Sequence, residues 1–77
     1  MRLSELLELP VAPGSSLVGK QLVSVLFPEG TLVVLLGRGE EYVVPTGSTA
    51  LQAGDLLLIL AHPDHATQVR AIVQGVS

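Results

Sequence analysis

The first candidate for a binding motif is the segment of residues 14–20, GSSLVGK, which matches the first seven positions of a phosphate-binding loop, G-x-x-x-x-G-K. In such a loop the backbone N–H groups cradle phosphates, and a Ser or Thr at the eighth position holds magnesium. The eighth residue here is Gln21, and the segment before the loop is not a buried strand. We therefore interpret the segment as the start of a helix. Ser15 or Ser16 either caps that helix or, with its first amides, receives an anionic ligand.

A second candidate is the pair His62 and His65, three residues apart with Asp64 between them. This spacing could supply two metal ligands, but zinc sites in proteins take three or four protein ligands. The sequence defines no third ligand. We interpret the pair as solvated side chains at the start of a helix and predict no metal site.

Asp55 follows Gly54 directly before an apolar run. An acid at such a corner hydrogen-bonds nearby backbone N–H groups and fixes the turn. Catalysis would require a second polar group beside it, and no Ser-His-Asp arrangement can be argued from the spacing. We therefore predict no catalytic residues and no enzyme activity. Arg38, at the tip of a hairpin, is the cation placed to reach a partner or ligand; the alternative is a solvated side chain.

The composition predicts one small domain with a partner. The chain has 77 residues and no cysteine; 48% of the residues are hydrophobic and 14% are charged. About 25% charged residues is usual, and a domain of this size buries only about 60% of its unfolded surface. Some apolar surface should therefore be covered by another chain, which favours a homodimer. The alternative is a monomer with an apolar surface that tends to aggregate.

Charge and hydropathy exclude several other partners. A net charge of −3 argues against binding to a phosphate backbone, and Phe27 and Tyr42 alone make no base-stacking surface. The longest apolar runs, residues 32–36 and 56–61, are far shorter than the roughly 20 residues that cross a bilayer. No signal peptide is visible at the start of the chain. We expect a cytoplasmic protein without direct membrane insertion.

The elements that must position these residues follow the order β-α-β-β-β-α. Strands are predicted at residues 3–9, 31–36, 41–44 and 56–61, with a glycine-containing hairpin turn at residues 37–39. The first helix is predicted at residues 17–26, because apolar residues recur there at helical spacing. Gly19 inside this helix costs about 1 kcal/mol relative to alanine, which suggests close packing.

The second predicted helix begins near Pro63, which suits a first helical position. Ala66, Val69, Ile72 and Val73 form its apolar face, and Gly75 is a C-terminal cap. In the loop of residues 46–53, Leu51 is the expected buried anchor. The predicted fold class is α+β, with a mostly antiparallel sheet and two helices.

In this order, several short motifs resemble a known family. They are G-K-x-L at Gly19–Leu22, the Arg38-Gly39 hairpin, Pro45, and G-x-T-x-L-x-x-G-D from Gly47 to Asp55. The set resembles the TrkA-C domain, the C-terminal lobe of regulator of potassium conductance (RCK) modules. The resemblance covers Leu3 to Val73 and makes the chain one domain, 1–77, with a core of about 3–73. It implies a cytoplasmic dimer that regulates a potassium or other cation channel or antiporter.

The resemblance also implies where a ligand would bind. In some relatives the ligand is cyclic di-AMP, held around the loop before the first helix near the dimer interface. The ligand-binding residues are therefore expected to be Val11, Ala12, Pro13, Gly14, Ser15, Ser16 and Leu17, together with Arg38 at the hairpin tip. The loop lacks the polar and cationic side chains expected for that dinucleotide, which argues against cyclic di-AMP in this chain. The ligand itself is not identified by the sequence; a small nucleotide is one candidate, and no ligand is required for folding.

The sequence leaves two interpretations of the function. One is a ligand-sensing regulatory domain, and the other is an oligomerisation module without a ligand. The nucleotide-binding lobe that accompanies this domain in the family is not in the chain. We therefore expect either a piece of a larger transport protein or a separate subunit.

Overall fold

The computed structural model describes residues 4–75 and shows a four-stranded sheet covered on one face. Its elements are β1 (Glu5–Pro10), β2 (Leu32–Arg38), β3 (Glu41–Val43), β4 (Leu56–Ala61) and α1 (Ala66–Gln74), with 3₁₀ turns at Leu22–Ser24 and Pro63–His65. The strand order is β1-β4-β2-β3, and each neighbouring pair is antiparallel. The predicted α+β class is confirmed. Leu3, where the first strand was predicted to begin, lies outside the described residues.

The core lies between the sheet and α1. In the central strand β4, the alternate residues Leu57, Ile59 and Ala61 are buried, and Val69 and Val73 of α1 belong to the same cluster. Period-two alternation on the strand and helical spacing on α1 place these side chains on facing surfaces. The predicted apolar face of the second helix is thus confirmed.

Three local predictions also hold. Leu51 is fully buried in the core, as expected of an anchor in an otherwise polar loop. The predicted hairpin joins β2 and β3, but its turn lies at residues 39–40 instead of 37–39, because Gly37 and Arg38 extend β2 and Arg38 pairs with Glu41; Gly39 has a φ of +63° in this turn. Gly75 caps α1 in the left-handed conformation, and its N–H donates to the carbonyls of Ala71 and Ile72.

The helix predicted at residues 17–26 is wrong, which leaves a single α-helix within residues 4–75. The segment instead runs alongside residues 47–51. The N–H of Leu22 donates to the Thr49 carbonyl at 2.9 Å, and the N–H of Leu51 donates to the Lys20 carbonyl at 2.8 Å. Because these backbone groups are satisfied by a distant segment, they do not form the i to i−4 bonds of a helix.

The interpretation of Gly19 as a site of close packing is also wrong. A Cβ at this position would meet no atom within 4 Å, but its φ is +87°. Gly19 is the third residue of a turn in which the Lys20 N–H donates to the Leu17 carbonyl. A turn with positive φ at its third position favours glycine, so the glycine serves the turn and interrupts the apparent helical pattern.

Candidate functional site

The loop predicted to hold a ligand is a series of tight turns tied to the corner before β4. The Val11 N–H donates to the Asp55 carbonyl, and the Gly54 N–H donates to the Val11 carbonyl, both at 2.8 Å. The Ser15 N–H then closes a turn on the Ala12 carbonyl at 2.9 Å. These bonds hold the loop in a defined shape before any ligand binds.

The predicted ligand residues divide into a buried and an exposed group. Val11, Ser15 and Leu17 are buried, whereas Ala12, Pro13, Gly14 and Ser16 are exposed. The exposed group offers small apolar surface, backbone groups and one hydroxyl, and it carries no charged side chain. Any charge that contacts a ligand at this loop must come from another segment.

Ser15 locks the loop to the end of α1. Its Oγ donates to the Val73 carbonyl at 3.0 Å and accepts the Leu17 N–H at 3.1 Å, and the side chain is buried. It therefore caps a turn and a helix end, and the predicted role as cap of a following helix is wrong because no helix follows. Without a helix at this point, no helix N-terminus is present to attract an anion.

Arg38 is held in an ion pair with Asp55. Its Nε donates to Asp55 Oδ1 at 2.9 Å, and its Nη2 donates to Asp55 Oδ2 at 2.7 Å and to the Ala50 carbonyl at 2.9 Å. This two-point geometry is the strong form of an arginine–carboxylate pair. Asp55 is 1% exposed, whereas the Arg38 side chain is partly exposed. The other terminal nitrogen of Arg38 has no hydrogen-bond partner among residues 4–75.

Asp55 stays ionised in this setting. Burial by itself would raise the pKa of Asp55, but the hydrogen bonds from Arg38 and from the Gln52 N–H outweigh it and hold the pKa below its ordinary value. The same pair raises the pKa of Arg38. The prediction that Asp55 fixes its turn through a backbone N–H is confirmed by the 2.8 Å bond from Gln52.

Asp55 therefore connects the loop of residues 11–17 to Arg38, which is far from that loop in the sequence. Its backbone carbonyl receives the Val11 N–H at the start of the loop, and its carboxylate holds Arg38 at the end of β2. Sequence spacing does not reveal this link, because the residues lie on three separate segments. A substitution in any one of these three segments is therefore expected to shift the other two.

The histidine pair has local structural roles. His62 Nδ1 accepts the Asp64 N–H at 3.1 Å, and His65 Nδ1 lies 3.1 Å from the Glu29 carbonyl. Within residues 4–75, no three His, Cys, Asp or Glu side chains are grouped closely enough to hold a metal ion. The pair thus tethers the start of the last helix to the turn before β2.

A cavity of about 290 Å³ lies between the segment of residues 16–26 and the C-terminal half of α1. We call it the α1 cavity. Its lining includes Ser16, Lys20, Ser24, Val25, Ile72 and Gly75. Two of these residues, Ser16 and Lys20, come from the segment that resembled a phosphate-binding loop, which in the structure is a set of turns.

The sheet surface opposite α1 is apolar, and we call it the leucine face. Strand pairing aligns its residues in three rows: Leu6, Leu60 and Leu32; Glu8, Leu58 and Leu35; and Pro10, Leu56, Gly37 and Tyr42. A β-bulge between Val33 and Leu35 keeps Leu35 opposite Leu58. Leu6 is 59% exposed and Leu32 60%. Residues 56–60, LLLIL, are apolar throughout, a pattern that suits a strand buried on both faces and carries no signal for an exposed leucine face.

Comparison with known proteins identifies relatives across most of the chain. The sequence model described as the TrkA-C domain matches residues 6–74. A Trk system potassium uptake protein TrkA homolog 1 from Methanosarcina mazei is 33% identical over 66 residues, which is 86% of this chain and 15% of that protein. A TrkA homolog from Archaeoglobus fulgidus is 28% identical over 68 residues, 88% of this chain and 16% of that protein. The chain therefore spans about one-sixth of the length of these relatives.

A solved structure has the same fold. It is described as an RCK domain with cda, superimposes with a TM-score of 0.77 at 24% sequence identity, and the match covers 87% of this chain and 94% of that one.

Among the helices that the structure describes, none has the length and apolar character needed to cross a bilayer.

Proposed function

This chain belongs to the TrkA-C domain family, and from that premise we propose that it is a regulatory domain of a potassium transport system that acts as a homodimer and senses a small ligand. The observation that carries the proposal is the family match over residues 6–74, together with 33% sequence identity to a Trk system potassium uptake protein. The role is one of binding and regulation rather than catalysis. We expect the domain to lie in the cytoplasm beside a membrane transporter or channel subunit.

The leucine face supports the homodimer. Exposed apolar patches on a soluble monomer rarely exceed a few hundred Å², and larger ones mark interaction sites. Among the described residues, Glu8 is the charged member of this face and lies on the edge strand β1. A second copy presents the same leucines, and a two-fold axis closes such an interface without leaving an apolar surface open.

The loop of Val11 to Leu17 with Arg38 is proposed as the place where a ligand acts. Two features support it. The exposed loop residues Ala12 to Gly14 and Ser16 have little side chain to obstruct a ligand, and Asp55 links the loop to Arg38. A ligand that contacts both segments would change the relative positions of the loop and the hairpin. It regulates transport only to the extent that it binds one state of the dimer more tightly than the other.

Thermal unfolding separates this proposal from an oligomerisation module without a ligand. A panel of nucleotides and cations is added to the purified chain, and Tm is measured against concentration. A ligand that binds the folded state raises Tm in proportion to the logarithm of its concentration above Kd. A flat response across the whole panel would support the oligomerisation module instead.

Potassium uptake tests the regulatory role. In the native host, the gene is replaced by versions carrying Leu32→Glu on the leucine face or Val23→Glu, a residue that is 68% exposed and belongs to neither the leucine face nor the α1 cavity. We expect the initial rate of rubidium tracer uptake to change with Leu32→Glu and to match the parent with Val23→Glu. Equal uptake in all three strains would rule out a role in potassium transport through this face.

A further inference from the structure

The α1 cavity has the size of a small-molecule site. Its volume of about 290 Å³ is near the lower end of ligand pockets, which begin at about 300 Å³. At about 30 Å³ for each water, it has room for roughly ten waters. The cavity is open to solvent on one side, and a ligand group of about ten non-hydrogen atoms would occupy it.

The lining separates into a polar and an apolar part. Lys20 and the hydroxyl groups of Ser16 and Ser24 supply the polar part, and the partly buried Val25 and Ile72 supply the apolar part. Among residues 4–75, the Lys20 ammonium has no ion-pair partner, and no carboxylate lines the cavity. An occupant of matching chemistry carries a negative group and an apolar body.

The nearby end of α1 does not reverse this preference. A helix C-terminus attracts cations through its unsatisfied carbonyls. Here the Gly75 N–H donates to the carbonyls of Ala71 and Ile72, and Ser15 Oγ donates to that of Val73. With these three carbonyls occupied, Lys20 is the dominant charge at the cavity.

We infer that the α1 cavity binds a small organic anion. Lys20 and the hydroxyl groups of Ser16 and Ser24 hold its carboxylate or phosphate group, and Val25 and Ile72 pack against its apolar body. The inference rests on the proposed ligand sensing, since Ser16 belongs to both sites. It assigns the ligand to the side of the loop that faces α1 and to a molecule with an acidic group and an apolar body.

The test is an NMR titration of the ¹⁵N-labelled 77-residue chain with three probes of similar size. They are 3-phenylpropionate, phenyl phosphate and the neutral 3-phenylpropan-1-ol. We expect saturable shifts of amides in residues 16–26 and 71–75. At least one anion should bind about fivefold or more tightly than the alcohol, because its charged group is hydrogen-bonded. Comparison of the two anions identifies the preferred acidic group.

Three variants test the assignment of the site. Lys20→Gln should weaken binding of the preferred anion about tenfold and leave the alcohol unchanged, since it removes a charge-assisted hydrogen bond. Arg70→Gln, a matched loss of a positive charge on α1 away from the cavity lining, should bind like the parent. Ala71→Leu should abolish binding of all three probes, because Ala71 is an exposed helical residue that lines the cavity. A dispersed amide spectrum confirms that each variant is folded.

Several outcomes would overturn the inference. These are no saturable shift at millimolar probe, equal affinity for the alcohol and the anions, unchanged binding in Lys20→Gln, or shifts confined to residues 11–15. Shifts confined to residues 11–15 would dismiss the cavity while ligand sensing at the loop stands. Tight anion binding at the cavity with normal rubidium uptake in Leu32→Glu would dismiss the proposed transport role of the leucine face and leave the cavity site intact.

Discussion

The pair of Arg38 and Asp55 joins the end of β2 to the corner before β4. Asp55 is almost fully buried and accepts hydrogen bonds from Arg38 and from the Gln52 N–H, while its own carbonyl anchors Val11. A buried charge is tolerated only when it is paired and hydrogen-bonded. Arg38 thus makes the Asp55 corner possible, and the corner holds the loop.

Replacing Arg38 with Met should destabilise the chain by roughly 2–3 kcal/mol. Breaking a buried pair costs about 3–5 kcal/mol, and partial exposure of Arg38 reduces this. Arg38→Lys should recover only part of the loss, because an ammonium cannot make the two-point contact. Urea unfolding measures each value. The double variant Arg38→Met/Asp55→Asn should cost less than the sum of the two single changes, and additive losses would contradict a direct pair.

Acid should weaken the fold through Asp55. The pKa of Asp55 is lower in the folded state than in the unfolded chain, where an aspartate titrates near 3.9. Its contribution to the free energy of unfolding is therefore fully present above about pH 4 and is lost as pH falls through the lower, folded value. Urea unfolding between pH 7 and pH 2 should show this loss. Asp55→Asn should flatten the acid limb; the parent slope in that variant would exclude Asp55 as its source.

At the scale of elements, the contact between α1 and the loop of residues 11–17 decides how the helix docks. A Cβ on Gly75 would lie 2.6 Å from the Ser16 nitrogen and 2.8 Å from Ser15 Oγ, which are distances that real Cβ atoms do not adopt. Gly75 also has a φ of +69°, which favours glycine. Both features tie the end of α1 to the loop, so movement of one element is expected to move the other.

Gly75→Ala should lower the free energy of unfolding by about 2–4 kcal/mol, since it adds a backbone penalty of about 1 kcal/mol to an overpacking cost of about 1–3 kcal/mol. Gly14→Ala is the matched control in the same loop. Its φ is not positive and its Cβ would meet nothing within 4 Å, so it should be neutral or stabilise by up to about 1 kcal/mol. Urea unfolding compares the two; equal effects would argue against a close contact at Gly75.

For the whole molecule, the sheet has one face covered by α1 and one face that presents leucine to its surroundings. The covered face supplies the buried cluster that includes Leu57 and Ile59. The leucine face follows from the same strands, because every residue between two core positions points the other way. Because only 14% of the residues are charged, few side chains are available to make that face polar.

Light scattering should therefore report about twice the chain mass of 8.0 kDa at tens of micromolar. Leu32→Glu should convert the dimer to the monomer, because it places a charge within an apolar contact at a position that is 60% exposed in the isolated chain. Leu26→Glu, which changes an exposed leucine beside α1, should stay dimeric. A parent chain that is monomeric at this concentration would eliminate the leucine face as a self-association surface.

The sequence by itself determined the strands of the sheet, the hairpin at Gly39, the last helix with its Gly75 cap and the burial of Leu51. Each of these depends on local features: a short apolar run, a glycine with positive φ, an apolar helical stripe, or one apolar residue in a polar loop. The TrkA-C motifs that it carries also gave the family, which the match over residues 6–74 confirms.

Only the tertiary structure decided what residues 17–26 do, which partner Arg38 has and which leucines lie together. The backbone groups of Lys20 and Leu22 form hydrogen bonds with residues 49–51, and these bonds override a local pattern that suits a helix. Arg38 meets Asp55 across 17 positions of sequence. Leu6, Leu60 and Leu32 share a row because of strand register. In each case the deciding free energy comes from residues far apart in the chain, and no local spacing records which of them will meet.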